Sequence, residues 1–110
     1  MDGKELLPGT LEMLILKTLS RTPNHGYGIA QHIRAVSEDA LKIGEGSLYP
    51  ALQRILVNGW VDAEWGVSET NRKVRIYKLT AAGRKVLNEQ RQKWSDFFAA
   101  LDRVAGITPA

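Results

Sequence analysis

A chain of 110 residues, 44% hydrophobic and 25% charged, supports one domain with a modest core and is too short for a two-domain enzyme. Its formal charge of +3 suits an anionic partner without requiring one. The lack of cysteine excludes a disulfide framework, a thiol redox centre and a Cys-ligated zinc finger. Met1-Asp2-Gly3-Lys4-Glu5 has no resemblance to a basic signal-peptide start, and the apolar run Met13-Leu14-Ile15-Leu16 is far too short to span a bilayer, so a cytoplasmic location is expected.

Pro8-Gly9-Thr10 reads as a turn closing on an N-cap, after which Leu11, Leu14, Ile15, Thr18 and Leu19 follow at helical spacing, predicting a helix from Leu11 to Ser20. Met13 and Leu16 fall outside this stripe, so the helix is expected to be covered on a second side by a partner subunit. The turn formers Thr22-Pro23-Asn24-His25-Gly26 end it. A second helix then starts near Gly26, with Tyr27, Ile29, Ala30, Ile33 and Val36 inward and Gln31, His32 and Arg34 outward.

Beyond a loop through Leu41-Lys42-Ile43, Gly44 and Gly46 supply a turn. Ser47 is placed to cap a third helix, and Pro50 falls in its first turn, where a missing N–H is harmless. On a helical wheel Leu48, Ala51, Leu52, Ile55 and Leu56 share one side, and Tyr49, Pro50, Gln53, Arg54 and Val57 the other. One side is core and the other is presented. A presented face of hydroxyl, amide and guanidinium groups on a small basic protein is what a major-groove reader requires.

Asn58-Gly59 stops this helix. Trp60 to Trp65 and Val74 to Leu79 are rich in β-branched and aromatic residues and read as strands, joined through the polar segment Gly66 to Lys73. The hairpin carries Arg72, Lys73 and Arg75, cations where a phosphate backbone would pass. Three helices followed by a basic hairpin make a winged helix-turn-helix, mainly α with a small β-hairpin. Thr80 caps a last helix carried to Ala105, on which Leu87, Trp94 and Leu101 recur every seven residues and Gln90, Phe97 and Val104 follow each by three. With Trp94, Phe97, Phe98 and Leu101 it would expose more apolar surface than a soluble monomer tolerates. Residues 1–79 are therefore expected to form the DNA-binding domain, 80–105 a dimerisation helix and 106–110 a tail.

Four segments, His25-Gly26-Tyr27-Gly28-Ile29, Gly46-Ser47-Leu48-Tyr49-Pro50-Ala51-Leu52, Asn58-Gly59-Trp60-Val61 and Tyr77-Lys78-Leu79-Thr80-Ala81-Ala82-Gly83-Arg84, stand in an order and spacing that resemble the PadR family of bacterial transcriptional regulators. With one helix after the wing, the chain is similar to the shorter subgroup. The resemblance implies a homodimer whose last helices pack across the two-fold and against the partner's first helix. It also implies operator binding, usually as a repressor, released in some members by a small molecule or stress signal.

Read with the helical face and the wing, it makes Ser47, Tyr49, Pro50, Gln53 and Arg54 candidates for groove contacts, Gln53 suited to adenine and Arg54 to guanine or phosphate. Arg72, Lys73 and Arg75 are the candidates for phosphates or the minor groove, and the backbone amides after Gly46 for a phosphate at the helix N-terminus. Met13, Leu16, Leu87, Trp94, Phe97, Phe98 and Leu101 are the expected dimer contacts. Trp94 and Phe97 are alternatively the lining of a cavity for a flat apolar or aromatic effector. Glu45 and Glu69 place negative charge beside these cations and fit least.

Other chemistry is weaker. Gly44-Glu45-Gly46 lacks the preceding strand of a nucleotide-binding loop, His25 and His32 have no third metal ligand at useful spacing, and no histidine is placed to activate Ser47. No enzyme, metal or cofactor is expected. Tyr49 can also shield core, Arg54 can be a solvated charge, and the wing cations can simply protect a strand edge. The competing function is a winged-helix module that uses the same surface to bind an acidic protein.

Overall fold

Stripes of apolar residues separated by turn formers fold into four helices and one antiparallel hairpin: α1 (Thr10–Leu19), α2 (Gly26–Val36), α3 (Glu45–Val57), β1 (Val61–Val67), β2 (Lys73–Leu79) and α4 (Ala81–Ala105). A computed structural model describes Leu6 and residues 9–106. The expected tail Ile107 to Ala110, Pro8 of the first turn and the Met1 to Glu5 start lie outside the described residues. The architecture is a winged helix, mainly α with a small β-hairpin.

The core gathers Leu11, Ile15, Leu16 and Leu19 of α1, Ile29 and Ile33 of α2, Leu48, Ala51, Leu52 and Ile55 of α3, Val61, Tyr77 and Leu87. Helix α1 packs against α2, α3, α4 and β2. Its second apolar side is therefore covered by its own chain: Met13 is 6% exposed and Leu16 0%, which corrects the expectation that they face a partner. Leu87, 2% exposed, is likewise held in the core of its own chain rather than offered to another. On α2 the correction runs the other way. Ile29 and Ile33 are buried, but Tyr27 and Val36 are exposed.

Local chemistry fixes the joints. His25 N-caps α2 by accepting the Gly28 amide on Nδ1 at 3.1 Å. Asn24 exchanges backbone hydrogen bonds with Tyr77, donating to its carbonyl at 3.1 Å and accepting its amide at 2.8 Å, which ties the α1–α2 turn to the hairpin. A Cβ on Gly28 would stand 2.2 Å from the Asn24 side-chain oxygen, so a larger residue here would have to displace the side chain that accepts the His25 amide at 2.8 Å.

At the end of α3 the Gly59 amide donates to Leu56 and the Trp60 amide to Ile55, with Gly59 at φ 77°. This is the left-handed cap that glycine adopts without a steric cost. Thr80 Oγ1 donates to the Gly59 carbonyl at 2.7 Å and accepts the Gly83 amide at 3.0 Å, so one hydroxyl both starts α4 and ties it to the exit of α3.

Where α4 begins, a Cβ on Gly83 would lie 2.0 Å from the Trp60 carbonyl oxygen. That contact is with backbone and cannot be relieved by a side-chain rotation. Gly83→Ala is therefore expected to destabilise the chain by about 3 kcal/mol, at the upper end of ordinary overpacking. Urea denaturation checks this, and a loss within error of zero would show that α4 tolerates displacement from Trp60.

Candidate nucleic-acid interface

Helix α3 begins two residues earlier than expected. Gly44 is its N-cap, with no side-chain cap, and Ser47 lies inside the first turn, donating its own amide to the Gly44 carbonyl at 3.1 Å. The Leu48 amide goes to the same carbonyl at 2.9 Å. The first amides after Gly46 are thus already used within the helix, which corrects their assignment to a phosphate. Glu45 now has a structural place: it is the acidic residue of the first turn, where the positive end of the helix dipole favours a carboxylate.

Leu48, Ala51, Leu52 and Ile55 pin α3 to the core, leaving Tyr49, Pro50, Gln53 and Val57 exposed and Ser47 partly covered. Tyr49 is half exposed. Its ring lies against Gly26, where an added Cβ would come within 3.2 Å of Tyr49 Cε1, so close approach of α2 sets the angle at which the phenol leaves the surface. Arg54 stands at the far edge of the face. Its Nε donates to Glu12 Oε1 at 2.7 Å and Nη2 bonds the same oxygen, an ion pair reaching across to α1. Its guanidinium is therefore oriented by α1, a constraint invisible in a residue pair 42 positions apart.

Between α2 and α3 lies an open groove lined by Tyr27, Gln31, Arg34, Lys42 and Tyr49. Gln31 Nε2 donates to the Tyr27 hydroxyl at 2.9 Å, so both side chains are held on this outer side. Reading Tyr27 as apolar hid it, although Tyr27, Gln31 and Arg34 at i, i+4 and i+7 form a polar stripe. Arg34 Nε donates to Asp39 Oδ1 at 2.8 Å, and this bond, with the guanidinium charge, holds the Asp39 carboxyl below its usual range.

In the wing, β1 and β2 pair with Trp65 opposite Arg75, Val67 opposite Lys73 and Ala63 opposite Tyr77. Because alternate residues share a face, Trp65, Lys73, Arg75 and Tyr77 stand together. Lys73 Nζ lies 4.8 Å from the Trp65 ring centroid, and the Arg75 guanidinium carbon lies 6.0 Å from that ring and 5.9 Å from the Tyr77 ring. Trp65 is absent from the expected site. Only the cross-strand register, not its character as a β-former, joins it to the cations.

Arg72 closes the tip, its amide donating to Ser68 Oγ at 3.2 Å and its carbonyl accepting the Ser68 amide at 2.8 Å. Glu69 is exposed in the same tip.

On α4, Phe97 and Phe98 are 54% and 55% exposed, while Trp94 and Leu101 are half-buried. Trp94 meets Phe98 edge to face, with centroids 6.5 Å apart, and Phe97 lies 5.9 Å from Phe98. Trp94 also lines a recess of about 340 Å³ with Glu12, Met13, Arg54, Trp60 and Gln90; Phe97 is not part of that lining. Among the described residues no group of three His, Asp or Glu side chains stands close enough to hold a metal ion, and no helix is long and apolar enough to cross a membrane.

A model of the transcriptional regulator PadR-like family matches residues 15–89, from the middle of α1 into α4. The chain belongs to the PadR-like family. This PadR-like chain is therefore a transcriptional regulator and not an enzyme. It is 29% identical over 89 residues to a transcriptional regulator of Mycobacterium tuberculosis, covering 81% of this chain and 79% of that one.

Among solved structures it is similar to a transcriptional regulator from Clostridium thermocellum, with a TM-score of 0.78 and 26% identity over 86% of this chain and 91% of that one. A PadR-like transcriptional regulator from Bacillus cereus gives a TM-score of 0.75 and 25% identity, covering 87% and 91%.

Proposed function

We propose that this PadR-like regulator binds duplex DNA as a homodimer in the cytoplasm, acts as a repressor, and sets the exposed face of α3 in the major groove with the wing against the backbone. The observation that carries this reading is the row of Lys73 and Arg75 on a hairpin that follows, through one tight glycine cap, a helix whose exposed face bears Tyr49 and Gln53. In the division of roles, Ser47, Tyr49, Pro50 and Gln53 meet the groove, while Arg72, Lys73 and Arg75 neutralise phosphates. Trp94, Phe97, Phe98 and Leu101 supply the contact between protomers. With two copies related by a dyad, the operator is an inverted repeat with half-sites about one helical turn apart.

The test is a salt-dependent titration of the protein on duplexes. A fragment from upstream of its own gene is expected to bind well above a scrambled fragment, and affinity for both to fall linearly with salt on logarithmic axes. Equal binding of the two fragments would contradict operator recognition. Gln53→Ala is expected to alter base preference at one position of each half-site, at a cost of about 1–3 kcal/mol for the preferred base, and to leave the salt slope unchanged.

Glu12 and Trp94 line the same recess, and Glu12 holds Arg54 of α3. This favours the recess, rather than Phe97, for a flat apolar or aromatic effector, whose binding would be felt by the DNA-reading helix through Arg54. Glu12→Gln removes the charge that holds the guanidinium, and because the Glu12 side chain is only 13% exposed the cost in stability is expected to exceed that of a surface pair, at about 1–3 kcal/mol. The same change is expected to raise affinity for all duplexes and steepen the salt slope. Weaker binding by the variant would show instead that Glu12 presents Arg54 correctly to DNA.

A further inference from the structure

We infer that Trp65 is a positioning residue of the wing, an aromatic platform that fixes Lys73 and Arg75 so that both cations are ordered before DNA arrives. The inference rests on the nucleic-acid reading of the wing and adds to it a residue that touches neither base nor phosphate in the role assigned.

Trp65 is 65% exposed, an unusual place for the largest apolar side chain, and nothing in the core accounts for it. What surrounds it is cationic. Across the ladder Arg75 is its direct partner, and Lys73 is the diagonal neighbour two residues before it. The ammonium and guanidinium stand 4.8 Å and 6.0 Å from the indole centroid, within the range in which a cation is attracted to the negative face of a ring.

Arg75 also sits 5.9 Å from Tyr77, which is buried and whose backbone is bonded on both sides to Asn24. The contacts form a ladder, Lys73 to Trp65 to Arg75 to Tyr77, that runs from the wing into the body of the domain. Free lysine and arginine side chains lose rotamer entropy when they fix a phosphate. Holding them on indole removes part of that loss in advance while keeping both charges.

This separates Trp65 from the cations it holds. Removing a cation changes the number of counterions released and so the salt slope. Removing the platform leaves the charges and alters only affinity.

The experiment uses the full chain with Trp65→Leu, which keeps apolar bulk but removes the ring, and Trp65→Phe, which keeps a ring. In the free protein, proton NMR is expected to show the Lys73 ε-methylene and Arg75 δ-methylene signals shifted upfield by the indole, partly retained in Trp65→Phe and lost in Trp65→Leu. On duplex DNA, Trp65→Leu is expected to bind about five- to tenfold more weakly with an unchanged salt slope, and Trp65→Phe within about twofold of the parent protein.

Unshifted methylene signals in the parent protein, or parent-like binding by Trp65→Leu, would overturn the inference while leaving DNA binding intact. Absence of salt-dependent binding by the parent protein would overturn the nucleic-acid reading and this inference with it. Trp65→Leu and Trp65→Phe losing affinity equally, with the hairpin melted in both, would assign Trp65 to hairpin stability and also overturn it.

Discussion

Replacing Arg72 and Lys73 together by alanine is expected to weaken binding to every duplex, specific or not, by about tenfold for each charge-assisted bond to phosphate that the change removes. Both side chains are exposed on the wing, so the weakening comes from DNA and not from folding. The logarithmic salt slope should become shallower by about 0.9 per neutralised phosphate, or about 3.6 for a dimer in which each wing gives up two. The backbone bonds to Ser68 fix where Arg72 leaves the hairpin tip, and the Trp65 ring holds the Lys73 ammonium itself. Fluorescence anisotropy at several salt concentrations measures both quantities. A weakening confined to one sequence, or an unchanged slope, would remove the wing from the backbone-binding role.

Two variants of α4, changed at sites only about three helical turns apart, are expected to fail in different ways. Leu87→Asp places a carboxylate in a site 2% exposed, within the core where α4 packs against α1. An unpaired charge there costs several kcal/mol, against a total stability of about 5–15 kcal/mol, and the chain should be largely unfolded. The Phe97→Asp, Phe98→Asp double variant instead changes side chains that are more than half exposed in the single chain and touch mainly each other and Trp94.

It should stay folded, giving up about 1–2 kcal/mol of aromatic interaction, but sediment as a monomer and bind DNA far more weakly. Circular dichroism and analytical ultracentrifugation separate the two outcomes. A double variant that remains a dimer would take the aromatic cluster out of the protomer contact.

The order of elements was legible because its punctuation is local. His25 and Thr80 cap helices with their own side chains, and Asn58-Gly59 supplies the left-handed cap that ends α3. The buried side of α3 was legible from its period, since Leu48, Ala51, Leu52 and Ile55 are all in the core.

What escaped depends on neighbours distant in sequence. Glycines accept helical dihedrals as well as turns, so the helix start slipped back from Ser47 to Glu45. Met13 and Leu16 looked surplus because a single stripe cannot reveal that α1 is surrounded by its own chain. Tyr27 is amphipathic, and its residue type does not say that its hydroxyl stays outside with Gln31. Arg54 meets Glu12, and Trp65 meets Lys73 and Arg75, only through tertiary packing and strand register.

The central proposal is that α3 and the wing read duplex DNA as a matched pair. It is tested most directly by selecting bound sequences from a random duplex pool with the full chain. The predicted result is enrichment of an inverted repeat whose half-sites lie about 10 base pairs apart, centre to centre. Recovery of an unenriched pool at moderate salt would contradict it.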